Sequence, residues 1–438
     1  MAKKSKVRGR SSQAMNGSAS SSVDDMLLAA MARGDTSFET GRYLITFKEG
    51  AAKDAAKSLE ARGLRVADAR DFKAQAVNVE DVGDADSLVL PEIGVALVSS
   101  APFAARGLSV QAEIASDSAM ESIDPEYFAF ANDSADYLRG FSRAVEVITR
   151  DMGSGLELPM PELEEEEVQV AGATWGLIKC RVPLSARSGA GIKVAVLDTG
   201  MDLAHPDFAG RSITSQTFVG QPVQDLHSHG THCIGTACGP LAPAGMTPRY
   251  GIGHKSLIFA GKVLSNSGSG TQAGILAGIN WAIANRCAVI SMSLGSPTPV
   301  HPAYTAAGRA ALANGSLIVA AAGNTGPNGT TGAPANSPTI MSVASLDPNL
   351  RPSNFSSFGK VDISAPGRDV FSSVPRPTRY GTMSGTSMAT PHVAGCAALW
   401  AETSPGLRGM NLWNKLIATA RPLGLPANRV GRGLVQAP

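Results

Sequence analysis

The chain has 438 residues, a formal net charge of +1 at pH 7 and 17% charged residues. A charge this close to balance gives no reason to expect binding to nucleic acid or to a membrane surface. The length allows two or three domains. The 47 glycines and few aromatic residues are typical of a tightly turned α/β enzyme and exclude a fibrous or disordered chain.

The first residues, MAKKSKVRGRSSQAMNGSASSS, have a basic start but no apolar core of a secretory signal. We therefore expect a disordered tail over residues 1–39. The location of the protein stays open between the cytoplasm and export by a non-standard route. Five cysteines, an odd and widely spread set, predict free thiols rather than disulfides.

Residues 40–131 have the pattern of a small α+β unit. Alternating Tyr43, Ile45 and Phe47 predict a strand, and residues 51–62 have helical composition. The elements expected next are strands at residues 76–79 and 94–98, a helix near 102–116 and an extended segment near 120–123. Strand, helix, strand, strand, helix, strand is the order of a ferredoxin-like fold.

Residues 132–172 have a different composition. An amphipathic helix is expected at residues 136–152, and the sequence GSGLELPMPELEEEEVQV follows it. Because an acidic segment with prolines buries little apolar surface, we expect an exposed linker here.

From residue 173 to residue 438 short apolar runs alternate with helical segments, for example at residues 273–285 and 304–314. The runs are IKVAVLDTG, SLIFAGKVL, AVISMSLG, SLIVAAAGN and TIMSVASL. This pattern predicts an α/β domain with a mainly parallel sheet flanked by helices. In such sheets the ligand site lies beyond the carboxyl ends of the strands, where Asp198, Gly295 and Asn324 fall.

The segment GTSMATPHVAG places Ser387 at the expected start of an apolar helix. The amides and the dipole of a helix N-terminus favour negative charge, which suits a nucleophile. A simple helix cap would explain this segment alone. Acyl transfer, however, also needs an imidazole, a carboxylate and oxyanion donors, and His229, Asp198 and Asn324 can supply them.

Three histidines, His227, His229 and His232, lie within DLHSHGTHCIGTACG, and a zinc site that includes Asp225 is the alternative interpretation. The glycine-rich, apolar residues that follow are more typical of a helix packed closely under a sheet. We therefore predict one functional histidine, His229, and no metal ligands.

The motifs VAVLDTG, HGTHCIGTACG, SMSLG, VAAAGNTG and GTSMATPHVAG resemble those of the subtilisin-like serine proteases, in that family's Asp, His, Ser order. The resemblance covers residues 173–438 and implies a subtilisin-like serine endopeptidase that works through an acyl-enzyme and needs no cofactor for its chemistry. The implied roles are Ser387 as nucleophile, His229 as general base, Asp198 as orienting carboxylate and Asn324 as oxyanion donor.

The resemblance also implies how a peptide substrate binds. The family clamps the substrate as an extra strand between two segments, which here are Gly268, Ser269 and Gly270 on one side and Ser293, Leu294 and Gly295 on the other. Gly332 matches the floor of the pocket for the residue before the cut bond (P1). This implies broad specificity with a preference for large apolar P1 residues.

Subtilases carry an N-terminal propeptide of ferredoxin-like fold, so the resemblance implies that residues 40–131 form one and that the chain is an autoprocessed zymogen. The tail of this propeptide, residues 125–132, would lie in the cleft, and the cut would fall between residues 130 and 170. Protein or peptide substrates and a monomeric state are implied as well.

Two residues bear on ligands. Asp207 matches a calcium-ligating position of subtilisin, but the loop that would complete that site is not recognisable, so structural calcium stays open. The resemblance to the thiol-containing branch of the family implies sensitivity to mercurials at Cys233, although a small buried hydrophobic residue is the simplest interpretation.

Two other functions stay open. A peptide-binding protein without activity would be expected to lack a triad or oxyanion residue, and none is missing. A ligase would resolve the acyl-enzyme with an amine, and the product would then not gain the mass of water.

Overall fold

A computed structural model describes residues 22–32, 37–80, 82–105, 109–110, 119–131, 172–245 and 247–438. The linker expected at 132–172, apart from its last residue, and the helix expected at 136–152 lie outside the described residues. The described chain comprises an N-terminal α+β unit and a larger α/β domain.

The N-terminal unit is built on one sheet with the strand order β5-β1-β4-β3-β2. Its strands are β1 (Glu39–Phe47), β2 (Val66–Asp68), β3 (Ser87–Leu90), β4 (Val95–Ser99) and β5 (Met120–Ala131), and its helices are α1 (Val23–Ala32), α2 (Ala55–Glu60) and α3 (Ala101–Ala104). β1 pairs antiparallel with β4 and β5, and β3 pairs antiparallel with β4. Without the short β2, this is the ferredoxin-like arrangement that the element order predicted.

Both faces of this sheet are buried. Ile45 of β1 packs with Leu59 and Phe103 of the unit's own helices, whereas its neighbour Leu44 joins a cluster that includes Ile279 of the larger domain. Successive residues of a strand point to opposite faces of its sheet. One face of this sheet is therefore covered by the helices of the N-terminal unit, and the other face packs on the α/β domain.

Three expectations for this part of the chain need correction. Residues 76–79 are not a strand, because Val77 and Val79 are buried by packing against the larger domain rather than by pairing in a sheet. The second strand of the fold is β3 instead. The helix expected near 102–116 is interrupted, because α3 ends at Ala104 and Ser109 is not helical, whereas Val110 is; residues 106–108 and 111–118 lie outside the described residues.

The third correction concerns the tail expected to be disordered. Within residues 1–39, the segment Val23–Ala32 forms a ten-residue helix, α1. Its buried residues Val23, Leu27 and Ala30 recur at helical spacing and pack against Phe128 and Phe130 of β5. Burial of this apolar face therefore offsets the entropy of ordering the segment.

The larger domain contains a sheet of seven parallel strands in the order β14-β13-β12-β10-β6-β8-β7. They are β6 (Lys193–Asp198), β7 (Ile213–Thr217), β8 (Leu257–Lys262), β10 (Val289–Met292), β12 (Leu317–Ala321), β13 (Met341–Leu346) and β14 (Ile363–Pro366). This confirms the predicted fold class. Shorter strands are β9 (Ser269–Thr271), β11 (Leu294–Gly295), β15 (Val370–Ser373) and β16 (Tyr380–Met383).

Helices cover both faces of this sheet. They are α4 (Trp175–Lys179), α5 (His229–Cys238), α6 (Gln272–Ala284), α7 (Pro302–Ala313), α8 (Thr386–Thr403), α9 (Gly409–Thr419) and α10 (Ala427–Val430). Val194 and Val196 of β6 pack into the core beneath α5 and α8, whereas Ala195 and Leu197 pack into the core beneath α6 and α7. A strand buried on both faces explains the continuous apolar run in the sequence.

Among the described helices, none combines the length and the apolar character that crossing a membrane requires. All five cysteines are buried and unpaired, as predicted.

Glu126 is fully buried where the N-terminal unit meets the α/β domain. Its carboxylate accepts hydrogen bonds from Arg42 Nε (2.6 Å) and from the backbone amide of Ala273 (2.9 Å) in the first turn of α6. Because the first amides of a helix lack partners within the helix, Glu126 acts as a cap supplied by another part of the chain.

Replacing Glu126 by alanine is expected to lower the free energy of unfolding by ~3 kcal/mol, because Arg42 and the α6 amide lose a buried partner. Denaturant unfolding in a Ser387→Ala background, chosen to prevent self-cleavage, measures the change. Asp54→Ala is the matched control, since it breaks an exposed ion pair with Lys57. Equal effects of the two substitutions would contradict the structural role of Glu126.

Candidate active site

Asp198 and His229 form a buried hydrogen-bonded pair at the carboxyl end of the sheet. Asp198 is the last residue of β6 and His229 the first of α5, and each side chain is 1% exposed. Asp198 Oδ1 lies 2.7 Å from His229 Nδ1. Gly230 permits this approach, because a β-carbon there would lie 2.3 Å from the carbonyl oxygen of Gly200.

The pair sets the protonation of the imidazole. Burial alone would lower the pKa of His229, but the carboxylate of Asp198 raises it well above its usual value. The same contact fixes Nδ1 as the proton-bearing atom of the neutral ring and leaves Nε2 to exchange protons.

Ser387 lies in the first turn of α8 and is fully buried. Its hydroxyl donates to the carbonyl of Ser293 at 3.2 Å. His229 Nε2 is buried without a hydrogen-bond partner among the described residues. Ser387 and His229 therefore share no hydrogen bond in this structure, because the carbonyl of Ser293 accepts the single hydroxyl hydrogen.

Asn324 follows β12 and is anchored to the start of α8. Its Oδ1 accepts hydrogen bonds from the amide and the hydroxyl of Thr386, both at 2.9 Å. These two bonds turn the side-chain nitrogen of Asn324 away from Thr386 and fix the orientation of the amide. Sequence reasoning did not identify Thr386, although its position next to Ser387 is the signal that could have revealed it.

The tail of β5 occupies the predicted substrate clamp as a third strand. On one side Phe130 pairs with Ser269 and Ala129 with Gly270, and the amide of Ala131 donates to the carbonyl of Gly268 at 2.8 Å. On the other side β5 pairs with β11. Ala131 pairs with Leu294, and Phe130 pairs with Gly295. The carbonyl of Ser293, the residue before Leu294, accepts the hydrogen bond from Ser387.

Gly332 lines a pocket next to the end of this tail, together with Ala322, Asn324 and Ala333. A β-carbon at position 332 would lie 2.2 Å from the carbonyl oxygen of Ser296. The pocket wall is thus made of small residues and backbone, and a side chain at position 332 would displace it.

The three histidines do not converge on a metal site. His232 Nε2 bonds the carbonyl of Val370 at 2.9 Å, and burial lowers its pKa to about 3. Asp225, the fourth ligand considered, accepts hydrogen bonds from Thr199 and Thr231.

One group of potential ligands does converge within the described residues, namely Asp198, His229 and Cys233. However, Asp198 Oδ1 and His229 Nδ1 are in direct hydrogen-bond contact, which leaves no space for an ion between them. Cys233 Sγ is fully buried, 4.0 Å from His229 Nδ1, and burial raises the pKa of its thiol to about 11. The thiol is therefore protonated at neutral pH and packs as a small apolar group.

Asp207 does not support a calcium site. Its carboxylate accepts hydrogen bonds from the hydroxyls of Tyr250 and Tyr380, the latter at 3.0 and 3.1 Å. Both carboxylate oxygens are therefore already engaged by neutral donors.

Comparison with known proteins agrees with this geometry. The model of the Subtilase family matches residues 189–433. Subtilisin of Bacillus pumilus is 40% identical over 256 residues, which cover 57% of this chain and 90% of that protein. Subtilisin Savinase of Lederbergia lenta is 40% identical over 269 residues, 60% of this chain and 96% of its own. An alkaline protease of Shouchella clausii is 39% identical over 305 residues, 67% of this chain and 77% of its own.

The family match spans most of the α/β domain, including the Asp198–His229 pair and the cleft that holds β5. The chain belongs to the subtilase family and is a serine endopeptidase.

Proposed function

We propose that the chain is an autoprocessed zymogen whose α/β domain hydrolyses peptide bonds through Ser387, His229 and Asp198, with Asn324 as an oxyanion donor. The observation that carries the proposal is the pairing of β5 with β9 and β11, since the chain binds its own tail as a substrate strand beside Ser387. Recognition of an extended peptide by strand addition is a general mode of peptide binding.

Each proposed role follows from position. Rotation of the Ser387 hydroxyl away from Ser293 lets it donate to His229 Nε2, which takes the proton as Oγ attacks the scissile carbonyl. Asp198 stabilises the imidazolium that forms. The developing oxyanion is stabilised by the amide of Ser387 in the first turn of α8 and by Asn324 Nδ2. His229 then protonates the leaving amine, and water attacks the acyl-enzyme. None of these steps needs a cofactor.

The register of the tail supports one cleavage site. Ala131, the last described residue of the tail, pairs with Leu294, and the carbonyl of the neighbouring Ser293 contacts Ser387 Oγ. We therefore assign the maturation cut to the bond between Asn132 and Asp133. The N-terminal unit would act as the intramolecular inhibitor until this cut releases it.

For other substrates we assign a preference for large apolar residues at P1, because Gly332 and its small neighbours line the pocket. The proposed substrates are proteins and peptides, and the proposed state is a monomer. Location in the cytoplasm or export by a non-standard route stays a prediction from the sequence.

Self-cleavage is tested by intact mass spectrometry with a fluorophosphonate that labels active serines. The wild-type chain is expected to be cut after Asn132 and to gain one label, whereas Ser387→Ala stays whole and unlabelled. A wild-type chain that also stays whole and unlabelled would contradict the zymogen proposal. Products that lack the mass of water would indicate ligation instead of hydrolysis.

The P1 preference is tested with peptides that differ only in the residue before the cut bond. Leu, Met, Phe or Tyr is expected to give a kcat/KM at least about tenfold higher than Asp or Lys, because an apolar pocket does not compensate the desolvation of a charge. Within the chain, Asn132→Leu should accelerate self-cleavage. Equal rates with apolar and charged residues would refute this assignment.

The pH dependence follows from the pKa of His229. The general base must be neutral, and its pKa is raised, so activity is expected to be lost as the pH falls through a midpoint above 6.5. Replacing Asp198 by asparagine removes the stabilising charge and leaves burial, so the midpoint should fall while kcat drops by about 10⁴. A pH profile of kcat/KM with the same midpoint in both proteins would contradict this explanation.

A further inference from the structure

Three serine hydroxyls, two in the loop that leads into β9 and one on the first residue of β9, converge on one point. The Oγ atoms of Ser265, Ser267 and Ser269 lie 2.8, 2.7 and 2.7 Å from a single carboxylate oxygen, Oδ1 of Asp24 in α1. The three Oγ atoms also lie 2.7 to 3.1 Å from one another. We call these three residues the serine cradle.

The chemistry of the cradle suits an anion. A hydroxyl carries one hydrogen, and a common carboxylate acceptor lets all three hydroxyls point their hydrogens at the same atom. Hydrogen bonds to an ionised acceptor are about twice as strong as those to a neutral one. A carboxylate should therefore bind here in preference to the amide of the same shape.

The rest of the loop supports negative charge at this place. The second carboxylate oxygen of Asp24 accepts from Gln221 Nε2 at 3.3 Å, and Gln221 Oε1 accepts the amide of Asn266 at 2.8 Å. Behind the loop, the Lys262 ammonium donates to Asn266 Oδ1 at 2.8 Å. A cation thus contacts Asn266, the residue between Ser265 and Ser267 of the loop.

The cradle belongs to the substrate clamp. Ser269 pairs directly with Phe130, and opposite residues of paired strands present their side chains on the same face. A substrate bound in the register of β5 would therefore place one side chain beside Ser269. At present α1 covers this place, since Val23, Leu27 and Ala30 pack on Phe130 and Asp24 fills the cradle.

We propose that the serine cradle is a subsite of the mature protease for an acidic side chain of the substrate, Asp or Glu, at the position that Phe130 takes here. Asp24 is then its built-in occupant, which keeps the subsite closed until α1 leaves with the N-terminal unit. This inference rests on the proposed function, because the subsite opens only when maturation removes α1.

The first experiment compares two peptides that carry Glu or Gln at this position and are otherwise identical. The matured enzyme is expected to show a kcat/KM about tenfold higher for the Glu peptide, the effect of one hydrogen bond to a charged group. In Ser265→Ala/Ser267→Ala the Glu-to-Gln ratio should fall towards one. The ratio cancels any general loss of activity. A ratio near one in the wild type, or an unchanged ratio in the double variant, overturns the proposal.

The second experiment does not depend on activity. Hydrogen–deuterium exchange of the α1 amides is measured in the full Ser387→Ala chain with Asp24→Asn or Asp25→Asn. Asp25 is the matched control, because it lies in the same first turn but bonds Ser22. Asp24→Asn should speed exchange by about tenfold more than Asp25→Asn, since the cradle selects charge.

Equal exchange in these two variants overturns the carboxylate preference of the cradle. If the matured chain hydrolyses neither peptide and takes no fluorophosphonate label, the proposed protease function fails. The exchange result then decides separately whether the cradle is a carboxylate site.

Discussion

The structure depends on one buried contact, the hydrogen bond between Asp198 and His229. Burying a carboxylate is costly unless it is paired, and here the backbone amide of Thr199 adds a second bond to Oδ1 at 2.7 Å. The contact also dictates the backbone around it, because α5 must begin against the loop that follows β6. This requirement explains the glycine at position 230, whereas Gly200 is needed for a positive φ of 105° and for the close carbonyl oxygen of Val223.

The cleft follows from the same sheet. β11 continues the chain after β10 and β9 follows β8, so two central parallel strands each deliver an edge segment to the carboxyl end of the domain. A peptide that enters between β9 and β11 satisfies the backbone groups of both edges. The tail of β5 does this, and the unit behind it is held by Glu126 at the start of α6. In the proposed zymogen, inhibition and substrate binding would therefore use the same hydrogen-bonding groups.

The sequence predicted functional residues where these residues lie in short sequence motifs. Asp198, His229, Ser387 and the clamp residues lie in short motifs whose strand or helix context is readable, and the structure brings them together. The second strand of the N-terminal unit was misassigned because the alternating pattern of Val77 and Val79 resembles that of a strand. These two side chains are apolar because they pack against the α/β domain. The helix α1 was missed because its apolar face is short and packs on residues far along the chain, Phe128 and Phe130 of β5 and Val219. Asp24 acts through a contact with Ser269, 245 residues further along the chain, which no local pattern encodes.

Lys262 connects the catalytic pair to the serine cradle. It ends β8, donates to the carbonyl of Thr199 beside Asp198, and reaches Asn266 in the cradle loop. Burial lowers its pKa to about 8, and the opposing charges of Asp225, Asp198 and Asp24 keep it from falling further.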